Sequence, residues 1–367
     1  TASDISPIMS SVDVTGLADV TVTITVEVPN GSARSFVVDA YGSQSVLYYS
    51  GAATADLTGL PLNLTVNMTY VGALIYVTNS GANTVSVINP ATGTVTATIP
   101  VGTNPYGIAI NSVTSKAYVA NFGSSDVSVI DIPTNSVATV ALTLATPYGV
   151  AVNPSNNRIY ITDQWNSPGD VYYINGADNT TGTLLGIMPT YSHGIAVNPN
   201  TNIAYIADWG EVLKLDTTTN LPVGLSFAIA GSNESAFGVA IDPSMNITIV
   251  TDTGGDLNFI DPADAVTTVT AAGISLEGVA LDASTHLAYI ADSLADSVLV
   301  VDIASQNIIT AIPVGATPMG VACYSSAKKL YVANSGDNTV SVIDTNSNTV
   351  VNTITVGTNP LGIAVSK

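Results

Sequence analysis

Charge is what this sequence has least of. Its 367 residues include 7 Lys and Arg and 27 Asp and Glu, so only 9% of the chain is charged, against roughly 25% in an average soluble protein. The net charge is −20. So few basic residues cannot form a basic stripe, which argues against nucleic acid and against an anionic membrane surface. With only 2 His, a His-rich metal constellation is excluded, and the carboxylates lack EF-hand spacing. No metal and no cofactor are expected. The single cysteine, Cys323, cannot form an intrachain disulfide, and its strand-like setting predicts a small core residue. No run of 18 apolar residues occurs, so no transmembrane helix is expected. A nucleophile elbow, a phosphate loop and a cysteine pair are also missing, and no enzyme activity is expected. The chain opens at Thr1 with no Met and no apolar signal core, from which a mature, secreted chain is expected.

Val, Ile, Ala and Thr carry the hydrophobicity, as in an all-β protein. The strongest signal is a repeat. Gly-[Ile/Val]-Ala starts at Gly107, Gly149, Gly194, Gly238, Gly278, Gly320 and Gly362, with spacings of 42, 45, 44, 40, 42 and 42. A second motif, Tyr-[Val/Ile]-[Thr/Ala]-[Asn/Asp], starts at Tyr76, Tyr118, Tyr160, Tyr205, Ile249, Tyr289 and Tyr331, always 11 residues after the preceding Gly where one precedes it. Each period holds four short β-type runs, for example Gly149–Val152, Tyr160–Thr162, Val171–Ile174 and Thr183–Ile187. Four strands per period of about 42 residues predict a propeller blade. A solenoid would need capping repeats at both ends, and none is visible. The two motifs are out of phase at the ends, because no Gly precedes Tyr76 and no Tyr follows Gly362. Closure solves this: Gly362–Val365 is predicted to be the inner strand of the blade formed by residues 74–99. The result is a seven-bladed β-propeller over residues 72–367.

Tyr76-Val77-Thr78-Asn79 followed by Asn83-Thr84-Val85-Ser86-Val87-Ile88 resembles the YVTN-type β-propeller repeat. So do Tyr331-Val332-Ala333-Asn334 and the loop Val101-Gly102-Thr103-Asn104-Pro105. The family is known from archaeal surface-layer and cell-surface proteins. The resemblance implies an extracellular structural or adhesive role, though a fold alone licenses no chemistry. The middle repeats depart from it, with Asp163, Asp208, Asp252 and Asp292 in place of Asn.

Residues 1–71 lack the repeat. Alternation over Val20–Val28 and Leu60–Tyr70, with short runs at Phe36–Val38 and Val46–Tyr49, predicts a small Ig-like β-sandwich of about five strands. It is short of strands, so an open edge is expected. Thr1–Val14 is read as an arm whose Ile5, Ile8, Val12 and Val14 insert into a neighbouring copy by strand donation, building a head-to-tail homopolymer, or into the arm's own sandwich. The other partners expected are cell-surface proteins or glycans.

The residue before each inner-strand Gly is the most variable of the repeat: Tyr106, Tyr148, His193, Phe237, Glu277, Met319 and Leu361. These should ring one channel mouth, with Asp208, Asp252 and Asp292 near the same face. His193 and Glu277 then offer an acid/base pair, as in propeller lyases. The plainer reading makes them loop side chains and makes the Asp carboxylates turn caps. Six sequons, at Asn30, Asn63, Asn67, Asn179, Asn233 and Asn246, are no more than composition supplies. Glycans are expected first on Asn63 and Asn67, on the polar face of their strand.

Overall fold

The computed structural model describes residues 20–23, 31–41, 47–57, 65–70, 72–142, 146–164, 171–184, 191–224, 226–229, 236–270 and 272–366. Its short strands follow from runs of Val, Ile and Thr broken by turns that need a left-handed residue. Nineteen non-Gly residues among those described have positive φ, and eleven of them are Asn. Asn tolerates this conformation because its short amide bonds the local backbone. The abundance of Asn in the sequence is therefore largely turn chemistry.

Seven antiparallel sheets make the propeller. Their inner strands are Pro360–Val365 (blade 1), Pro105–Asn111 (blade 2), Pro147–Asn153 (blade 3), Ile195–Asn198 (blade 4), Ala236–Asp242 (blade 5), Leu276–Asp282 (blade 6) and Pro318–Tyr324 (blade 7). Each pairs with the strand of its own Tyr motif, and a third and outermost strand follow. Blade 4 splits its outermost strand into Leu221–Pro222 and Phe227–Ala228. In blade 3 the outermost strand is Thr181–Leu184, two residues earlier than the sequence pattern places it, because the turn at Asn175–Thr180 sets the register Thr181↔Ile174.

The predicted ring closure is present. Pro360 pairs with Asn79, Ile363 with Val77, Ala364 with Tyr76 and Val365 with Ile75. Closure removes the free edges of the innermost ladder. It also replaces the solenoid reading, since no capping repeat is needed. The Tyr-motif strands are buried on both faces, whereas the outermost strands of blades 6 and 7 expose Ile308, Ile309, Val350 and Val351. The apolar core lies between blades. Val127 and Val129 of blade 2, for instance, meet Val150, Ile159 and Ile161 of blade 3.

A second link joins neighbouring blades at the end of the inner strands. Its last residue bonds the left-handed turn residue of the next blade: Asn111 to Asn157 at 2.7 Å, Asn153 to Asn202 at 2.9 Å and Asn198 to Asn246 at 2.7 Å. The next two links join a carboxylate to a basic side chain. His286 Nδ1 lies 2.6 Å from Asp242 Oδ2, and Lys328 Nζ lies 3.9 Å from Asp282 Oδ2.

The chain divides into two compact units, with the boundary near Leu74. In the N-terminal unit, strands Val20–Thr23, Gly31–Tyr41, Leu47–Leu57 and Thr65–Tyr70 form one antiparallel sheet in the spatial order first, fourth, third, second. The described residues of this unit form that one sheet; the rest of the expected sandwich, and the arm with Ile5, Ile8, Val12 and Val14, fall outside the described residues. Cys323 lies in the inner strand of blade 7 and is half-buried rather than fully buried, with its Sγ 3.4 Å from Ser325 Oγ.

Candidate functional site

In six of the seven blades the inner ladder skips two residues. The register jumps between Pro105 and Ile108, Pro147 and Val150, Ala236 and Val239, Leu276 and Val279, Pro318 and Val321, and Pro360 and Ile363. The skipped pair is the variable residue and its Gly. A bulge of this kind re-aims a side chain out of the sheet, and in five of the six it places the variable residue at the channel mouth, the exception being Glu277. The Gly is required for a separate reason. A Cβ built on Gly107 would strike the carbonyl oxygen of Tyr148. The same holds from Gly149 to His193, Gly194 to Phe237, Gly238 to Glu277, Gly278 to Met319, Gly320 to Leu361 and Gly362 to Tyr106. The seven contacts return to their starting point, so no side chain fits at any of these positions.

Where the Tyr motif carries Thr, its hydroxyl bridges blades. Thr78 Oγ1 accepts from Gly362 N at 2.8 Å and donates to Tyr106 O at 2.7 Å. Thr162 does the same between Gly149 N and His193 O, and Thr251 between Gly238 N and Glu277 O.

The mouth carries a run of touching rings. Tyr106 and Tyr148 have centroids 4.5 Å apart, Tyr148 and Phe237 5.9 Å, and His193 and Phe237 5.2 Å in a stacked arrangement. Phe122 joins through Tyr106 at 5.6 Å. Met319 and Leu361 complete the lining of a cavity of about 190 Å³ that reaches down to all seven glycines. Burial pushes the Tyr148 phenol well up, with smaller contributions from Tyr106 and the Glu277 carboxylate.

His193 has both ring nitrogens engaged. Nδ1 donates to the Ala236 carbonyl at 3.2 Å, and Nε2 faces Gln164 Nε2 at 2.8 Å. Burial pulls its pKa down against the Ala236 bond and the Asp208 charge. Glu277 Oε1 accepts from Ser293 Oγ at 3.0 Å and Ser275 Oγ at 3.2 Å, and burial pushes its carboxyl up against those bonds. The hydrogen bonds of one residue do not reach the other.

The carboxylates of the Tyr motifs serve the loops. Asp163 Oδ1 accepts from Thr146 N and Oγ1, Asp208 Oδ1 from Tyr191 N, Asp252 Oδ1 from Gly254 N, and Asp292 from Ile274 N and Ser275 N. All four are buried. In blades 1, 2 and 7 the motif ends in Asn, which donates instead. Asn79 Nδ2 reaches Thr84 and Ser86, Asn121 reaches Asp126 and Ser128, and Asn334 reaches Thr339 and Ser341. A hydroxyl seven residues on accompanies Asn; an incoming loop amide accompanies Asp163, Asp208 and Asp292, and an amide of its own turn accompanies Asp252.

Among the sequons, Asn179 and Asn246 occupy left-handed turn positions, and Asn246 Oδ1 accepts from Asn198. Asn67 lies in the strand Thr65–Tyr70, while Asn30, Asn63 and Asn233 lie outside the described residues. Among the described residues no cluster of three or more His, Cys, Asp and Glu could hold a metal, and no helix is long and apolar enough to cross a membrane. Sequence reasoning missed Phe122, Gln164 and the exposed pair Tyr191 and Trp209, whose rings lie 5.2 Å apart. A signal existed for three of them: Phe122, Gln164 and Trp209 each directly follow a Tyr motif, a second variable position in the repeat.

Similarity to known proteins agrees with this architecture. Of solved structures, a chain of hydrazine synthase from Kuenenia stuttgartiensis superposes with a TM-score of 0.66 at 17% identity, covering 73% of this chain and 91% of that one. A functionally unknown protein from Desulfotomaculum acetoxidans gives 0.68 at 16%, covering 80% and 98%. A chain of the nidogen/laminin complex gives 0.56 at 13%, covering 81% and 99%. At such identities only the fold is shared. In sequence, 43 residues are 58% identical to PE-PGRS family protein PE_PGRS18 of Mycobacterium tuberculosis. That is one repeat's length, covering 12% of this chain and 9% of that protein. The family model of the YNCE-like beta-propeller matches residues 64–366, and with seven closed blades built on a YVTN-type repeat the chain belongs to that family.

Proposed function

We propose that this protein is a secreted, non-catalytic component of a cell surface, a structural or adhesive subunit that assembles through its N-terminal β-module. The observation that carries the reading is the exposed aromatic pair, Tyr191 at 44% and Trp209 at 47% exposure. Paired exposed rings mark a contact surface. Ile274 and Leu294 are also exposed, on the corresponding loops of blade 6. The engaged nitrogens of His193 favour binding over acid–base turnover. A surface built on Thr, Ser and Asn with little charge suits an extracellular setting. Support for assembly comes from the sequence of Thr1–Val14 and the small number of strands before residue 71. Deleting Thr1–Val14 and sizing natively assembled protein tests it. The full chain is expected to run as a polymer and the truncated chain as a monomer. A monomer in both cases refutes assembly through the arm.

A further inference from the structure

The channel mouth has a definite chemistry. Its rings come from blades 2 to 5, and Met319 and Leu361 complete the wall; the one carboxylate at the equivalent repeat position, Glu277, is buried just outside the lining, next in the chain to Gly278, which does line the cavity. The cavity of about 190 Å³ far exceeds the roughly 10–15 Å³ that one water needs. Among the described residues no Lys or Arg lines it, which disfavours anions. One carboxylate without further ligands is too little for a divalent metal. The ring faces are electron-rich, and aromatic faces bind cations most strongly where water is excluded. The whole chain, at −20, concentrates cations around it.

We propose that this mouth binds a small organic cation of the alkylated ammonium class, held against the faces of Tyr106, Tyr148 and Phe237 with Glu277 as the neutralising charge. The methyl groups of such a ligand match the Met319 and Leu361 walls. Glu277 suits this role because both of its serine bonds fall on Oε1, leaving Oε2 without a hydrogen-bond partner.

The test is calorimetric titration of the full chain with choline, and with the uncharged alcohol in which carbon replaces the nitrogen. The two have nearly the same shape and differ in charge. Choline is expected to saturate a single site and the alcohol to bind about tenfold more weakly. Tyr148→Leu and Glu277→Gln should each weaken choline by a similar factor while still unfolding in one cooperative transition. Met319→Lys, which tethers an ammonium in the ring, should abolish binding. Equal affinity for choline and the alcohol, or no saturable choline binding, overturns the proposal. Both results come from the unaltered protein, so they stand even if a variant fails to fold.

Discussion

At the scale of single residues, the inner ring tolerates no side chain. A Cβ on Gly320 would meet the Leu361 carbonyl, which is backbone and cannot rotate away. Gly320→Ala is expected to destabilise by about 1–3 kcal/mol or more through overpacking, read by denaturant unfolding. Gly224 is a control, because its φ is +70° and nothing lies within 4 Å of an added Cβ. Gly224→Asn should be nearly silent, and equal losses at both sites would contradict the close-approach explanation. The carboxylates of two blade links contribute to the pH response. Burial pushes Asp242 up, but bonds from Ser244, His286 and Met245 bring it below the ordinary carboxylate range. Asp282 behaves alike, with Ser284, Ser325 and Lys328 outweighing burial. A carboxyl with a depressed folded-state pKa stabilises the fold above its unfolded value, about 3.9, and that contribution is lost as pH falls through the folded value. Glu277, pushed up by burial, acts in the opposite sense. The fold should therefore hold its melting temperature down to about pH 4 and lose it below. Asp242→Ala leaves His286 and the turn amides unpaired and should cost about 1–3 kcal/mol at neutral pH. Unchanged acid stability in that variant would remove Asp242 from the account.

At the scale of elements, the blade is a unit whose parts explain the repeat. The Tyr-motif strand is buried on both faces, its Thr bridges to the next blade, and its final Asn or Asp meets either a hydroxyl or a loop amide. Much of this was legible. Period, strand count and closure followed from the positions of Gly and Tyr alone, because both residue types sit where backbone crowding or double-sided burial permits little else. Six residues that line the mouth were legible as the variable position before a Gly; the seventh, Glu277, is held by Ser275 and Ser293 outside the lining. What stayed hidden was contact across blades. No spacing announces that Gln164 covers His193, or that Ser275 and Ser293 hold Glu277. The split outermost strand of blade 4 was likewise invisible, since edge strands carry weak patterns. The closing strand is the element with the largest consequence. Deleting Pro360–Lys367 strips Ile75–Asn79 of its inner partner and removes the buried Leu361 and Ile363. One such buried side chain contributes about 2–5 kcal/mol, so the truncated chain should melt far lower and aggregate through its new edges. Melting like the full chain would refute closure as the source of stability.

At the scale of the whole molecule, a closed ring of blades joined by Asn–Asn, Asp–His and Asp–Lys links carries few basic residues and an exposed aromatic pair. The acidic excess, a net charge of −20, opposes the approach of polyanions. Contacts made by such a surface depend on Thr, Asn and exposed rings, which change little with pH or salt. These are properties expected of a protein that works outside the cell as part of an assembly. The most direct measurement is immuno-electron microscopy of the source cells with an antibody raised against the propeller. The account predicts label on the outer surface or along extracellular filaments. Label confined to the cytoplasm would contradict it.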